Sequence, residues 1–176
     1  MTESEYRKQL REFEGYETHM YLDSKGYVTI GIGIMFANAQ AAKKSGISFT
    51  NRETKAKATD DEIAADYDLT KKKKPTKLDA DEGDLKKRLD KELKQAESDA
   101  KSYYNDFSNL PSSVQYALID IAFNCGADGL SKFKQLKKAL ENKDWEEAAK
   151  QSHRKDIQAS RNKAIADWIR AGAKEK

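Results

Sequence analysis

The sequence contains a single cysteine, Cys125, among 176 residues. One cysteine excludes an intramolecular disulfide, so folding does not depend on an oxidising compartment. We interpret Cys125 as a small buried side chain, because a nucleophilic role would need a histidine beside it. The only two histidines, His19 and His153, stand far apart and form no credible zinc site with one cysteine. The sequence therefore predicts neither a metal nor another cofactor.

Long apolar runs are also missing. No stretch approaches the roughly 18 consecutive apolar residues of a membrane-spanning helix, so we expect no stable membrane insertion. The first residues are polar and acidic, unlike the apolar core of a secretory signal. The sequence therefore predicts a protein that is made in the cytoplasm without a signal peptide and that needs another agent to reach any target outside it.

The excess of one charge sign is small. Thirty-three Lys and Arg residues stand against 30 Asp and Glu residues, which gives a formal net charge of +3 and a pI near 8.7. This balance favours an anionic partner only weakly, and it argues against a nucleic-acid-binding protein. Apolar residues make up 38% of the chain and charged residues 36%, but the apolar ones fall in periodic clusters. That clustering predicts a folded chain rather than a disordered one.

Within the first 36 residues the pattern of apolar residues changes once, from one typical of a helix to one typical of strands. Thr2 and Glu5 have the spacing of a capping box, and the helix that they open should end at Gly15. From Tyr21 to Ile34, aromatic and β-branched residues surround a turn with the sequence DSKG. This pattern predicts a short β-hairpin followed by a third strand or a bend.

Helical periodicity dominates the rest of the chain, after an irregular loop with one short helix at 37–58. Thr59 and Glu62 form a second capping box, opening a helix that runs toward Pro75 and that we expect to connect two lobes. Asp84 is expected to cap a charged surface helix with a narrow apolar stripe. Further helices are predicted for the buried run 114–123 (VQYALIDIAF), which stops at Gly126, and around Leu136, after Asp144 and from Ser160.

Two carboxyl groups in the first hairpin region fit the chemistry of glycoside hydrolysis. That reaction needs one protonated carboxyl to assist the leaving oxygen and one ionised carboxyl across the bond. Glu14 ends an amphipathic helix beside Phe13 and Gly15, where desolvation would keep it protonated. Asp23 lies in the more exposed turn and would stay ionised, while the hydroxyl of Thr29 can help to hold the attacking water. Taken alone, these residues also fit the simpler alternative of a solvated helix-end Glu and an ordinary turn.

The strings around these residues are FEG at 13–15, YLDSKG at 21–26 and TIGIG at 29–33. Together they closely resemble the active-site signature of phage-type lysozymes, or endolysins, the family that includes the T-even phage enzyme. In that family a catalytic Glu is followed by eight residues and an Asp, then by five residues and a Thr. Glu14, Asp23 and Thr29 reproduce both gaps. Weaker similarity continues at 122–126 (AFNCG), 145–149 (WEEAA) and 161–170.

The resemblance implies an α+β fold, mostly helical, with a small antiparallel sheet lobe and a helical lobe in one domain. Residues 14–58 would form the sheet lobe with the active site, and residues 1–13 together with 59–176 would form the helical lobe. Many relatives have a His directly after the second glycine of TIGIG, where this sequence has Ile34. That departure concerns the docking of the lobes more than catalysis.

By the same resemblance the chain is a peptidoglycan hydrolase. It would be an N-acetylmuramidase, cleaving the β-1,4 bond between N-acetylmuramic acid and N-acetylglucosamine and so lysing bacteria. Glu14 would donate the proton, Asp23 and Thr29 would direct the water, and the family implies an inverting course. The partners implied are bacterial glycan strands. Substrate contacts carried over from the family fall on Met35, Phe123 and Gln151.

Several alternatives stay open at this point. A catalytically weak peptidoglycan-binding module of the same fold is the rival from another class, and Ile34 is the argument for it. We expect a monomer that acts at the bacterial cell wall after release or injection. It could be a phage endolysin, a tail-borne lysozyme or a secreted antibacterial effector, and an effector would pair with an immunity or inhibitor protein. The lysine run 71–74 is interpreted as a solvated helix end, with a patch for anionic wall polymers as the alternative.

Overall fold

The computed structural model describes residues 1–23 and 25–175, so Ser24 of the predicted turn lies outside the described residues. The strands are β1 (Glu17–Leu22), β2 (Val28–Gly31), β3 (Ile34–Phe36), β4 (Phe49–Asn51) and β5 (Leu78–Ala80). The α-helices are α1 (Glu3–Glu14), α2 (Ala39–Lys43), α3 (Asp60–Lys71), α4 (Glu82–Tyr103), α5 (Ser112–Leu130), α6 (Lys134–Glu141), α7 (Trp145–Gln151) and α8 (Ala159–Ala171), with 3-10 turns at Phe107–Asn109 and Gly172–Lys174. These elements confirm the predicted α+β, mostly helical fold class.

The chain forms two compact units. One is Leu10–Asp90, and the other combines Met1–Gln9 with Lys91–Lys176. The sheet unit is thus longer than the predicted range 14–58, because α3, β5 and the start of α4 contribute to its core. Leu85 of α4 is buried with these residues of the unit: Met20, Val28, Ile30, Phe36, Ala42, Ile47, Phe49, Ile63, Leu78 and Ala80.

The prediction that α3 connects the lobes is wrong. This helix lies wholly inside the Leu10–Asp90 unit, and the boundary at Asp90 and Lys91 falls within α4. The α4 stripe of Leu85, Leu89, Leu93, Ala96 and Ala100 is buried as the spacing predicts.

Strands β1, β2 and β3 form an antiparallel sheet in that order, which confirms the hairpin and its third strand. Val28 and Phe36 are cross-strand partners and belong to the core of the unit. Because side chains alternate along a strand, the neighbouring row lies on the opposite face of the sheet. That row is Tyr21, Thr29 and Met35, which are partners across the three strands. A second, two-stranded ribbon of β4 and β5 was not predicted.

The helix starts follow the predicted caps with one exception. The backbone N–H of Thr2 donates to Glu5 Oε2 at 2.7 Å and Thr59 forms a full capping box, so both boxes are confirmed. Asp84 does not cap α4, since its own N–H donates to Asp81 Oδ1 at 2.9 Å. The Asp84 carboxylate instead accepts from the N–H of Ser48 at 3.0 Å, which ties α4 to the loop before β4.

The second unit is helical within the described residues. Helix α5 carries its core, with Val114, Ala117, Leu118 and Ile121 fully shielded from solvent. Gly126 interrupts α5 with a φ of 67°, where the sequence predicts the helix to stop, and the chain then resumes helical turns to Leu130. Asp144 caps α7 through the N–H of Glu147 at 3.0 Å, as predicted. No helix in the described part of the chain has the length and apolarity that crossing a membrane would require.

Candidate active site

Glu14 is the last residue of α1. Gly15 follows with a φ of 74°, a left-handed conformation that glycine adopts without strain and that ends the helix there. The Glu14 side chain is half-buried. Its Oε2 lies 3.8 Å from the point where a Cβ on Gly33 would stand. The second glycine of the TIGIG string therefore leaves open space beside the carboxyl group.

Asp23 follows β1 and is held by the turn that it opens. Its Oδ1 accepts hydrogen bonds from the N–H groups of Lys25 and Tyr27, both at 2.9 Å. Its own N–H donates to the carbonyl of Tyr27 at 2.9 Å, and its carbonyl accepts from Gly26 at 3.0 Å. Among the described residues, the hydrogen bonds to this carboxylate all go to Oδ1. Oδ2 accepts no hydrogen bond from a described residue, and the two bonds to Oδ1 fix the orientation of the carboxylate.

Thr29 lies in the central strand β2 and is 2% exposed. Its hydroxyl donates to the carbonyl of Tyr27 at 3.2 Å. The same carbonyl accepts the N–H of Asp23, so one oxygen atom links the two residues. Because the Thr29 hydrogen is used in this bond, the hydroxyl oxygen can take part in a further hydrogen bond only as an acceptor.

Tyr21 is a site residue that the sequence did not single out. It is the cross-strand partner of Thr29 and is half-buried. Burial raises the pKa of the Tyr21 phenol above its ordinary value, and the negative charges of Asp23, Glu14 and Glu17 raise it further. Both predicted catalytic carboxyl groups therefore lie within electrostatic range of one phenol. The sequence contained a weak sign of this, since Tyr21 opens the YLDSKG string.

The predicted substrate residues divide between the two units. Met35 is 53% exposed and is the cross-strand partner of Thr29, so the structure places it beside the candidate catalytic residues. Phe123 and Gln151 belong to the other unit. Phe123 is half-buried on α5, three residues before the break at Gly126. Gln151 ends α7, and its amide donates to Glu147 Oε1 at 2.8 Å.

The chain was compared with known proteins. A family model described as Phage lysozyme matches residues 11–170, which include all six predicted site residues. A protein from Dictyostelium discoideum named "Probable T4-type lysozyme 2" is 29% identical over 147 residues, covering 83% of this chain and 80% of that protein. "Probable T4-type lysozyme 1" of the same organism is 27% identical over 149 residues, covering 84% and 81%. The chain therefore belongs to the phage lysozyme family and is a glycoside hydrolase of the lysozyme type, with peptidoglycan as its substrate.

Proposed function

We propose that the chain is an inverting N-acetylmuramidase that cleaves the β-1,4 bond between N-acetylmuramic acid and N-acetylglucosamine. Glu14 is the general acid, Asp23 is the general base, and Thr29 orients the attacking water. Cutting this bond weakens the bacterial wall and lyses the cell, so the protein acts at the wall. Met35, Phe123 and Gln151 contact the glycan.

The observation that carries this proposal is that both carboxyl groups lie within electrostatic range of one phenol, that of Tyr21. The negative charges of Glu14 and Asp23 both raise the pKa of this phenol. Glu14 ends α1, whereas Asp23 directly follows β1. An inverting glycosidase needs two carboxyl groups on opposite sides of the scissile bond, with room for a water beside the base. Glu14 and Asp23, which belong to different parts of the chain and both act on the Tyr21 phenol, are the candidates for that pair.

The orientation of the water follows from the hydrogen bonds around Asp23 and Thr29. A water bound by Asp23 Oδ2 and Thr29 Oγ1 meets two acceptors, so it donates both of its hydrogens. Its lone pairs then point at the anomeric carbon. The proton of Glu14 moves to the glycosidic oxygen as the bond to that carbon breaks. The water oxygen forms the new bond, and its proton passes to Asp23.

Replacement of Glu14 tests its role as the general acid. We expect Glu14→Gln to lower the release of reducing sugars from purified peptidoglycan by at least about a hundredfold, because the amide cannot donate the proton. Glu12→Gln is the matched control, since it removes the same charge from α1 two residues earlier and should keep its activity. Equal rates for the two variants would overturn the assignment.

The anomeric configuration of the first product tests whether the reaction inverts. Proton NMR of a fresh digest should show the α-anomer at the new reducing end, because inversion of a β-linkage produces it. A β-anomer at early times would mean that Asp23 acts as a nucleophile. Wild-type protein that sediments with walls and releases no reducing sugar would be a binding module instead of an enzyme.

A further inference from the structure

A pocket of about 660 Å³ opens in the Leu10–Asp90 unit beside Asp23. Asp23 lines this pocket together with Lys73 and Lys74 of the turn after α3. Glu14 is not part of its lining. The pocket therefore adjoins the candidate active site through Asp23, the proposed general base.

The lining is basic. Asp23 is its one carboxylate among the described residues, whereas Arg52, Lys73 and Lys74 contribute three cations. Arg52 is fixed in place, since its Nε lies 3.1 Å from Asp79 Oδ1 and its Nη2 donates to Thr76 Oγ1 at 2.6 Å. The charge of Arg52 is thus offset by Asp79.

Lys73 and Lys74 differ from Arg52, because within the described part of the chain neither ammonium group has an ion-pair partner. Another lysine holds their turn close to the hairpin. Lys71 Nζ donates to the carbonyl of Gly26 at 3.1 Å, which joins the end of α3 to the turn that Asp23 opens. The exposed lysine run is therefore joined through Lys71 to the turn that carries Asp23.

Lys73 occupies a position where glycine would be less strained. The N–H of Lys74 donates to the carbonyl of Leu69 at 2.9 Å, and that of Lys73 donates to Thr70 at 3.0 Å. This pattern is a Schellman motif, whose left-handed residue is most often Gly. Lys73 takes that conformation with a φ of 56°. Lys143 takes the same place in the turn after α6, outside the pocket, so it provides a matched control.

We propose that this pocket binds the carboxylates of the peptides that peptidoglycan carries on its muramic acid residues. The inference rests on the proposed function, which places the scissile bond at Asp23. Those peptides branch from the sugar at the cleaved bond, so a chain of a few residues can reach the pocket while the glycan lies at the site. Lys73 and Lys74 supply the complementary charge, and the pocket volume accommodates a short peptide.

The test compares two substrates that differ only in charge: soluble glycan strands with acidic peptides, and the same strands after their carboxyl groups are converted to amides. We expect the wild-type protein to favour the acidic strands in kcat/KM by about three- to tenfold, the range for one or two exposed charge pairs. The preference should shrink at high salt. It should also approach one in the double variant Lys73→Gly, Lys74→Ala, in which glycine retains the turn.

Lys143→Gly removes a lysine from the same kind of turn and should keep the preference. A preference that survives in the double variant, or is absent from the wild-type protein, would overturn the inference. Retention of Glu14→Gln on immobilised acidic and amidated strands measures the same preference without turnover. Failure of the wild-type protein to cleave either substrate would instead count against the proposed function.

Discussion

The carboxyl group of Glu14 and the backbone of Gly33 lie next to each other. Glu14 Oε2 is 3.8 Å from the position of a Cβ on Gly33, a distance of ordinary van der Waals contact. Gly33 is exposed and has a φ of 70°. Glycine at this position therefore serves two purposes: it permits a left-handed turn between β2 and β3, and it places no side chain beside the proposed acid.

Gly33→Ala should affect both purposes. We expect the free energy of unfolding to fall by roughly 1–2 kcal/mol, because alanine is strained in the left-handed region. We also expect kcat/KM on peptidoglycan to fall by up to about a hundredfold, since the new methyl group displaces the glycan from Glu14. Urea unfolding and reducing-sugar release measure the two effects. Gly46 has a similar φ of 75°, and a Cβ built there meets no heavy atom within 4 Å. Gly46→Ala should therefore lower the free energy of unfolding and leave the activity unchanged.

Thr29→Val separates the proposed catalytic hydroxyl from its structural role. We expect kcat/KM to fall by about ten- to a hundredfold, or roughly 1.4–2.7 kcal/mol, because the water loses one acceptor. The free energy of unfolding should fall by only about 1 kcal/mol through the lost bond to Tyr27. Thr29→Ser should keep activity. Ser152→Ala removes another buried hydroxyl, which donates to Ala149, and should lower stability without affecting catalysis. A fully active Thr29→Val enzyme would rule out the proposed role.

The features that depend on local spacing were predictable. The Thr2 and Thr59 capping boxes and the break at Gly126 each depend on residues a few positions apart, and all are present. The β4–β5 ribbon was missed because it pairs Phe49 with Ala80 across about 30 residues, and neither strand is long enough to show alternation.

The candidate site likewise has features that follow from residue spacing and features that depend on contacts between distant parts of the chain. The spacing of Glu14, Asp23 and Thr29 was sufficient to select them. The nearness of both carboxyl groups to Tyr21, and the link of Lys71 to Gly26, arise only when separate elements pack together.

Asp66 should make stability depend on pH. The residue is 1% exposed, and this burial raises the pKa of its carboxyl group above the ordinary value. Hydrogen bonds from the N–H groups of Lys77 and Leu78, together with the charge of Arg52, lower the pKa but do not cancel the effect of burial. A group whose pKa is higher in the folded state binds its proton more tightly there. Its contribution is therefore fully present below the pKa of the unfolded chain and is lost as pH rises through the folded pKa.

Urea unfolding midpoints of the wild-type protein and of Asp66→Asn, measured between about pH 3 and 7, isolate this contribution. The difference curve should show the wild-type protein gaining stability relative to the variant as pH falls. A difference curve that is flat, or that has the opposite slope, would contradict the assignment of the raised pKa to Asp66.

Asp120 compensates two buried arginines in the helical unit. It is fully buried on α5, and it accepts from Arg161 Nε at 3.0 Å, Arg161 Nη2 at 2.9 Å and Arg154 Nη2 at 3.2 Å. Arg154 also donates to Asn124 Oδ1 at 3.4 Å, directly after Phe123. We expect Asp120→Asn to lower the free energy of unfolding by about 3–5 kcal/mol, because it removes the buried negative charge that pairs with both guanidinium groups.

An exposed acidic residue of α8 provides the comparison for Asp120. Asp167 pairs with Lys163 and Arg170 at the surface, where solvent screens the interaction, so Asp167→Ala should cost no more than about 1 kcal/mol. Urea unfolding of both variants gives the two losses. If Asp120→Asn proves no more harmful than Asp167→Ala, the arginines must find water or other acceptors when the carboxylate is removed, and the cluster does not hold α5 and α8 together. A large loss confined to Asp120→Asn would make this ion cluster the fixed support for the end of α5 that carries Phe123.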